Sequence, residues 1–560
     1  MLKYDNEIIE LHKQLTIQAE KELELDNVLA LITKHCLTTQ GKKLISNGKF
    51  VNISDLNNEL SQVQEMFDML TTDEPLPLAR IEDVKELIRK AKIDGAVLEI
   101  RELKYIASMI QVAREIKSFT KSRKTKYPLT CQEINTIYDD RVLVKKLDAT
   151  IDENENIRDN ATPELHKIRS ELRDKNSKLH SRMTKLVREY ADADLISDDF
   201  YTIKEGRFVL SIKASHKRKL PGIVHGVSQT GATVYLEPNM AVELNNELSL
   251  LHSAEKREIY IILQSLTRIV AESSTDLLSL YNTLSHIDSI FAKAQYATDN
   301  GGVKPIISNS KILELKKAYH PLLVHKLGIK NVVPLSISFN ESQRGHLISG
   351  PNAGGKTIAM KTLGLSIMLA QRGIFPLGEI HFSPLNVYTS IGDGQSVEQN
   401  LSTFSFQLTR LKQILDVSTY FSGYQHEVNK FSDFSSTDNK LFVTDCLLLI
   451  DEICSGTDPR EGSALACGIL DTFIELCLFF VVTTHQSSLK VYAMNTRTST
   501  TNKTANENEQ KNKYDSKLSE LEKRLSKIKK NNAIDEKTIT RLRALITMLR
   551  GGYFLDTPKK

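Results

Sequence analysis

No uninterrupted apolar run in this 560-residue sequence reaches the roughly 18–20 residues that a bilayer-spanning helix needs, so nothing in it reads as a membrane span. The opening MLKYDNEIIELHKQL mixes acids and bases on an amphipathic pattern, unlike a secretory leader. Cysteine is scarce. The six residues, Cys36, Cys131, Cys446, Cys454, Cys467 and Cys477, contain no CxxC pair and mostly sit in apolar surroundings, as reduced buried thiols of a cytoplasmic protein would. Charge of one sign is lacking too: 74 Lys and Arg against 70 Asp and Glu leave +4, so affinity for nucleic acid has to be sought locally. What remains is a chain with 40% hydrophobic and 26% charged residues, long enough to bury several cores in three or more domains.

The strongest positive signal is GPNAGGKT, Gly350 to Thr357, which follows the apolar run His346-Leu347-Ile348-Ser349 and precedes the helix-like IAMKTLGLSIMLAQ. This is the setting of a phosphate-binding loop. Gly350, Gly354 and Gly355 would let backbone N–H groups turn inward around a phosphate, with Pro351, Asn352 and Ala353 completing the nucleotide-binding loop; Lys356 would reach the outer phosphate oxygens, and the Thr357 hydroxyl suits Mg²⁺. The N-terminus of the following helix adds to the same attraction.

About a hundred residues on, Leu447-Leu448-Leu449-Ile450-Asp451-Glu452 has the form of a buried parallel strand that delivers two carboxylates at its C-terminal end. Asp451 is then the candidate Mg²⁺ ligand with Thr357, and Glu452 the base that orients or deprotonates water beside the γ-phosphate. A third strand, Leu478-Phe479-Phe480-Val481-Val482, ends in Thr483-Thr484-His485, so His485 projects from the same edge, either as a γ-phosphate sensor or as a structural residue. Outside these motifs no paired-acid or histidine cluster has metal-ligand spacing.

From Leu23 to about Ile116 apolar residues recur at helical spacing. A long helix opens at Thr162-Pro163, a capping residue followed by a proline tolerated at the first position. Leu165, Ile168, Leu172, Leu179, Met183 and Leu186 line one of its faces. Another carries Lys167, Arg169, Arg173, Lys178, Arg182, Lys185 and Arg188, a solvated face or a phosphate contact. Alternation at Phe208, Leu210 and Ile212, and strand-forming residues from Thr233 to Leu236, predict a two-stranded β module joined through the basic run His216-Lys217-Arg218-Lys219. Helical periodicity resumes from Pro238 to about Tyr296.

Together, GPNAGGKT, IGDGQSVEQNLSTFSFQL, LLLIDEICSGTDPREGSALA and TTHQSSLKVYAMNT resemble the ATPase domain of MutS proteins, and most of all the second bacterial type, which suppresses recombination and lacks mismatch-reading domains. RFVLSIKASHKRKLPGIVHGVSQTGATVYLEPNMAVELNNEL and AYHPLL extend that resemblance over roughly residues 20–495. It implies an ABC-type α/β P-loop ATPase domain at 301–495, preceded by a mainly helical region. That region divides into an N-terminal core, 1–150, and lever or clamp helices, 151–300, which carry the β module at about 200–237. It further implies ATP and Mg²⁺ as cofactors and a homodimer in which Ser402 of one copy caps the γ-phosphate of the other, with Asp458 as a polar contact joining the two sites. By sequence alone, Ser402-Thr403-Phe404 is only a helix N-cap and Gly456-Thr457-Asp458-Pro459 only a turn. The implied ligand is branched or recombination-intermediate DNA, or a stalled or collided ribosome.

Two regions depart from that pattern. A polar insertion at about 416–440, containing STYFSGYQHEVNKFSDFSSTDNK, reads as a flexible loop. From 496 to 560 the chain reads as a polar linker and a short basic helical tail, where no Smr-type nuclease domain is visible. Tyr514, Leu518, Leu521, Leu525 and Ile528 form a short heptad seam there, and fifteen Lys and Arg face eight Asp and Glu from Thr501 onward. A protein that binds ATP but no longer hydrolyses it therefore stays open as an alternative. A coiled-coil-arm ATPase is disfavoured, because only about ninety residues separate the phosphate loop from Asp451.

Overall fold

The computed structural model describes residues 2–48, 50, 52–138, 141–350, 355–392, 403–428, 445–455 and 457–497. Among the described residues it is a mixed α/β structure, mostly helical, with three small sheets. The chain separates into two compact units that do not follow chain order: Leu37–Gly41 with Leu76–Asp288, and Met1–Cys36 with Lys42–Pro75 and Ser289–Lys560.

In the unit containing Leu76–Asp288, the helix Pro163–Asp192 starts as its sequence dictates. The Thr162 side chain accepts the Leu165 N–H at 3.1 Å and Pro163 occupies the first turn. Leu165, Ile168, Leu172, Leu179, Met183 and Leu186 are buried along one stripe. The basic face is less uniform than its sequence. Arg169 pairs with Asp159 and Glu255, and Arg173 with Asp159, whereas Lys167, Lys178, Arg182, Lys185 and Arg188 are exposed.

The β module has four strands instead of the two expected: β1 (Ile196–Lys204), β2 (Arg207–Lys213), β3 (Gly222–Val227) and β4 (Thr233–Pro238), antiparallel in the order β1-β2-β4-β3. β1 and β3 escape a pattern search because each carries a register shift, between Ile196 and Tyr201 and between Val224 and Gly226, that breaks strict alternation. Leu210, Ile212 and Leu236 pack against the buried stripe of Pro163–Asp192 and the start of helix Asn239–Glu272.

In the other unit, β5 (Ile306–Ile307), β6 (Leu313–Ala318), β7 (Leu335–Phe339) and β9 (Glu379–Phe382) form one mixed sheet. A fully parallel sheet is built from β8 (Gly345–Ser349), β10 (Asn386–Ser390), β11 (Cys446–Ile450) and β12 (Phe479–Thr484), in the order β10-β11-β12-β8. Leu447 and Leu449 enter one core and Leu448 and Ile450 another. This is why the strand reads as an unbroken apolar run: both of its faces are covered.

The N-terminal helix Leu2–Glu22 belongs to this unit and packs on β10 and on helix Thr403–Val428. Its end is tied to the parallel-sheet segment by charge: Glu20 to Arg372 at 2.7 Å, Glu22 to the Ile391 N–H at 2.9 Å, and Glu24 just beyond it to Lys361 at 2.9 Å. The helix Thr403–Val428 also runs further than the loop expected from Ser418 onward. Val417, Ser418 and Phe421 are buried, so apolar packing carries the helix into the polar stretch, while residues 429–444 lie outside the described set. Cys36, Cys131, Cys446 and Cys454 are buried, whereas Cys467 is half-buried and Cys477 exposed.

Candidate functional site

The C-terminal ends of the parallel strands meet along one edge, since Thr484 is level with Ser349 and Val482 with Ile450. In open parallel sheets this is the edge where ligands bind. β8 runs to Ser349 and the chain re-enters the described set at Gly355, which caps the helix Lys356–Ala370 with φ of 78°, a left-handed conformation that glycine adopts without strain. Lys356 and Thr357 therefore stand on the first turn of a helix whose N-terminus points at the edge.

Lys356 is only 5% exposed, and its Nζ donates to the Gly350 carbonyl at 2.6 Å. The same Nζ lies 2.9 Å from His485 Nε2, which in turn is 3.1 Å from Glu452 Oε1. Nε2 can hold one role at a time: while it accepts from the Lys356 ammonium, it has no hydrogen to give Glu452. The Thr357 hydroxyl donates to Asp451 Oδ2 at 2.7 Å, and the Thr483 hydroxyl donates to Asp451 Oδ1. Thr483 also accepts the Glu452 N–H at 2.8 Å, so one hydroxyl of β12 holds both acids at the end of β11.

That end is a tight turn. Glu452 and Cys454 both have left-handed backbone, with φ of 48° and 54°. Burial pushes the Cys454 thiol up to about 12, which keeps it protonated and removes it from chemistry at neutral pH. Gly462, on helix Pro459–Glu475, supports the turn from behind. A Cβ there would stand 2.5 Å from the Cys454 carbonyl oxygen and 3.1 Å from Gln486 Nε2. Gly462→Ala is accordingly expected to cost about 1–3 kcal/mol through overpacking. A denaturant midpoint equal to that of the parent would contradict this.

Asp458 caps the helix Pro459–Glu475, accepting the N–H groups of Arg460 at 2.9 Å and Glu461 at 3.4 Å. Of the positions expected from sequence, Pro351, Asn352, Ala353, Gly354, Gly456 and Ser402 lie outside the described residues, as do residues 498–560. Two residues at this edge carry no role in the sequence reading: Thr483, whose hydroxyl is fixed by the neighbouring acids, and Gln407, whose amide meets the turn after β11. Both lie in stretches that carry the family resemblance, Thr483 where an apolar strand ends and Gln407 between Phe406 and Leu408, but nothing in the sequence names their partners. Among the described residues, no three of His, Cys, Asp and Glu gather as a metal site of protein ligands alone, and no helix is long and apolar enough to cross a membrane. One hydroxyl and one carboxylate in contact is nonetheless the kind of oxygen donor pair that fits Mg²⁺, an ion whose remaining positions are commonly filled by phosphate oxygens and water.

Residues 346–423 match MutS domain V. The chain is 31% identical over 480 residues to a protein of Alkaliphilus oremlandii named Endonuclease MutS2, with 85% of this chain and 57% of that relative covered. Relatives of the same name from Agathobacter rectalis and Bacillus velezensis are each 33% identical, over 482 and 485 residues, covering 85% and 84% of this chain and 57% and 58% of theirs. The chain thus spans a little over half the length of the relatives it matches.

Proposed function

The chain belongs to the MutS2 type of the MutS family, and from that premise we propose that it is a Mg²⁺-dependent ATPase of P-loop, ABC-type fold that acts as a dimeric clamp on branched or recombination-intermediate DNA. The observation that carries this reading is the convergence of Lys356, Thr357, Asp451, Glu452 and His485 at the carboxyl edge of one parallel sheet.

ATP would lie over the loop from Gly350 to Gly355, with its outer oxygens drawing Lys356 away from the Gly350 carbonyl and from His485. Mg²⁺, held by Thr357 and Asp451, would neutralise charge developing on the phosphate oxygens. His485 Nε2, relieved of Lys356, can then carry a proton toward Glu452 or the γ-phosphate. Glu452 takes the proton of the attacking water, phosphate forms and ADP leaves.

Ser402 of a second copy would cap the γ-phosphate, and Asp458 would link the two sites while its carboxylate also caps its own helix. Nucleotide held between copies favours a closed pair over an open one, and hydrolysis releases it. The exposed Lys178, Arg182, Lys185 and Arg188, and the loop Lys217-Arg218-Lys219, are basic surface on which a phosphate backbone could settle.

The test is steady-state ATPase rate with branched DNA, linear duplex or ribosomes added in turn. Branched DNA is expected to stimulate most. Stimulation by ribosomes alone would transfer the clamp to that ligand, and no response to any of the three would sink the clamp reading.

A further inference from the structure

We propose that Gln407 is a positioning residue that holds Glu452 in its reactive geometry; this rests on the reading of Glu452 as the base. Beyond Ile450 the chain leaves the sheet. Asp451 N–H still reaches the Ser390 carbonyl at 2.9 Å and Ile453 N–H the Thr483 carbonyl at 3.2 Å, but the Asp451 carbonyl and the Cys454 N–H lie in the turn, past the last paired strand residues. Gln407 closes that gap. Its Nε2 donates to the Asp451 carbonyl at 3.0 Å, with the Glu452 carbonyl at 3.5 Å, and its Oε1 accepts the Cys454 N–H at 2.9 Å.

The amide orientation is fixed by these partners, since a flipped amide would set donor against donor and acceptor against acceptor. A primary amide is the side chain that supplies both functions at one end. It brackets the two left-handed residues, Glu452 and Cys454, whose conformations persist only where the surroundings dictate them. The bracket is itself anchored. Three residues on from Gln407, Arg410 Nε donates to the Thr389 carbonyl of β10 at 3.3 Å, and Leu411 and Ile414 are buried in the same core as Leu448 and Ile450. Gln407 thus cannot follow the turn if the turn relaxes. The turn must conform to Gln407, and with it the direction in which the Glu452 carboxylate leaves the strand.

The hydrogen bonds of Gln407 go to the turn after β11, so its loss is read in turnover and not in nucleotide capture. The experiment compares the full chain with Gln407→Met, which keeps length and loses both hydrogen bonds, and Gln407→Glu, which keeps an acceptor for Cys454 and regains a donor only when protonated. For Gln407→Met the expected result is a fall in kcat of about 30- to 100-fold with ATP-analogue affinity within about threefold of the parent. Gln407→Glu, which as a carboxylate offers no donor to the Asp451 carbonyl, is expected to lose turnover likewise at about pH 8, with ATP-analogue affinity within about threefold of the parent. A side chain that merely filled space would tolerate methionine, which matches its length. The proposal is overturned by a Gln407→Met kcat within about threefold of the parent, or by a parallel loss of nucleotide affinity. A parent chain that binds ATP and never hydrolyses it would instead remove the reading of Glu452 on which the proposal depends.

Discussion

Glu452→Gln is expected to leave ATP bound and to stop its hydrolysis, with kcat falling about 10²- to 10⁴-fold and ATP affinity staying within about threefold of the parent. The amide matches the acid in shape but cannot take a proton from water. The Glu452 backbone N–H to Thr483 and the Gln407 bracket around the turn do not depend on the side chain, so the site keeps its shape. Because the γ-phosphate persists, the variant should also accumulate in the closed pair when given ATP, visible as a larger sedimentation coefficient. A variant that releases phosphate like the parent would show that Glu452 is not the base.

Lys356→Ala is expected to abolish nucleotide capture itself. The ammonium supplies charge-assisted hydrogen bonds to phosphate oxygens, worth about 1.5–3 kcal/mol each, so removing them lowers affinity by about 100-fold or more. The nucleotide-free chain should tolerate the change. The lost partners include the Gly350 carbonyl and His485, and His485 is partly exposed, so water can replace the lysine there. Equilibrium binding of a fluorescent ATP analogue, with thermal unfolding as a control for folding, separates the two effects. Unchanged binding by a folded variant would place the triphosphate elsewhere.

The elements that could be read from sequence are those whose chemistry is local. Thr162 and Pro163 define a helix start because a cap and its N–H are three residues apart. Leu447–Ile450 and Leu478–Val482 read as buried strands because burial on both faces demands unbroken apolar residues. Lys356, Asp451 and His485 stand out because each ends or begins such an element.

What sequence could not give is pairing at a distance. Gln407 meets Cys454 across 47 residues, Glu22 meets Ile391 across 369, and Arg169 meets Glu255 across 86. Arg169 reads only as one of a basic face, and Ile391, Gln407 and Cys454 fall inside stretches whose resemblance names no partner for them. For the same reason the ties of Glu20 and Glu22, on the N-terminal helix, to the segment around the parallel sheet leave no local mark in the sequence. The bulged strands β1 and β3 stay hidden because alternation, the only local signature of a strand, fails at a register shift.

The account rests most heavily on triphosphate hydrolysis at the edge shared by β8, β11 and β12. Phosphate release from ATP by the purified chain, with Mg²⁺ and with Mg²⁺ chelated, measured beside Lys356→Ala, tests it most directly. The account predicts release that needs Mg²⁺ and vanishes in the variant. Release that survives the loss of Lys356, or none from a parent chain offered both ATP and Mg²⁺, would contradict it.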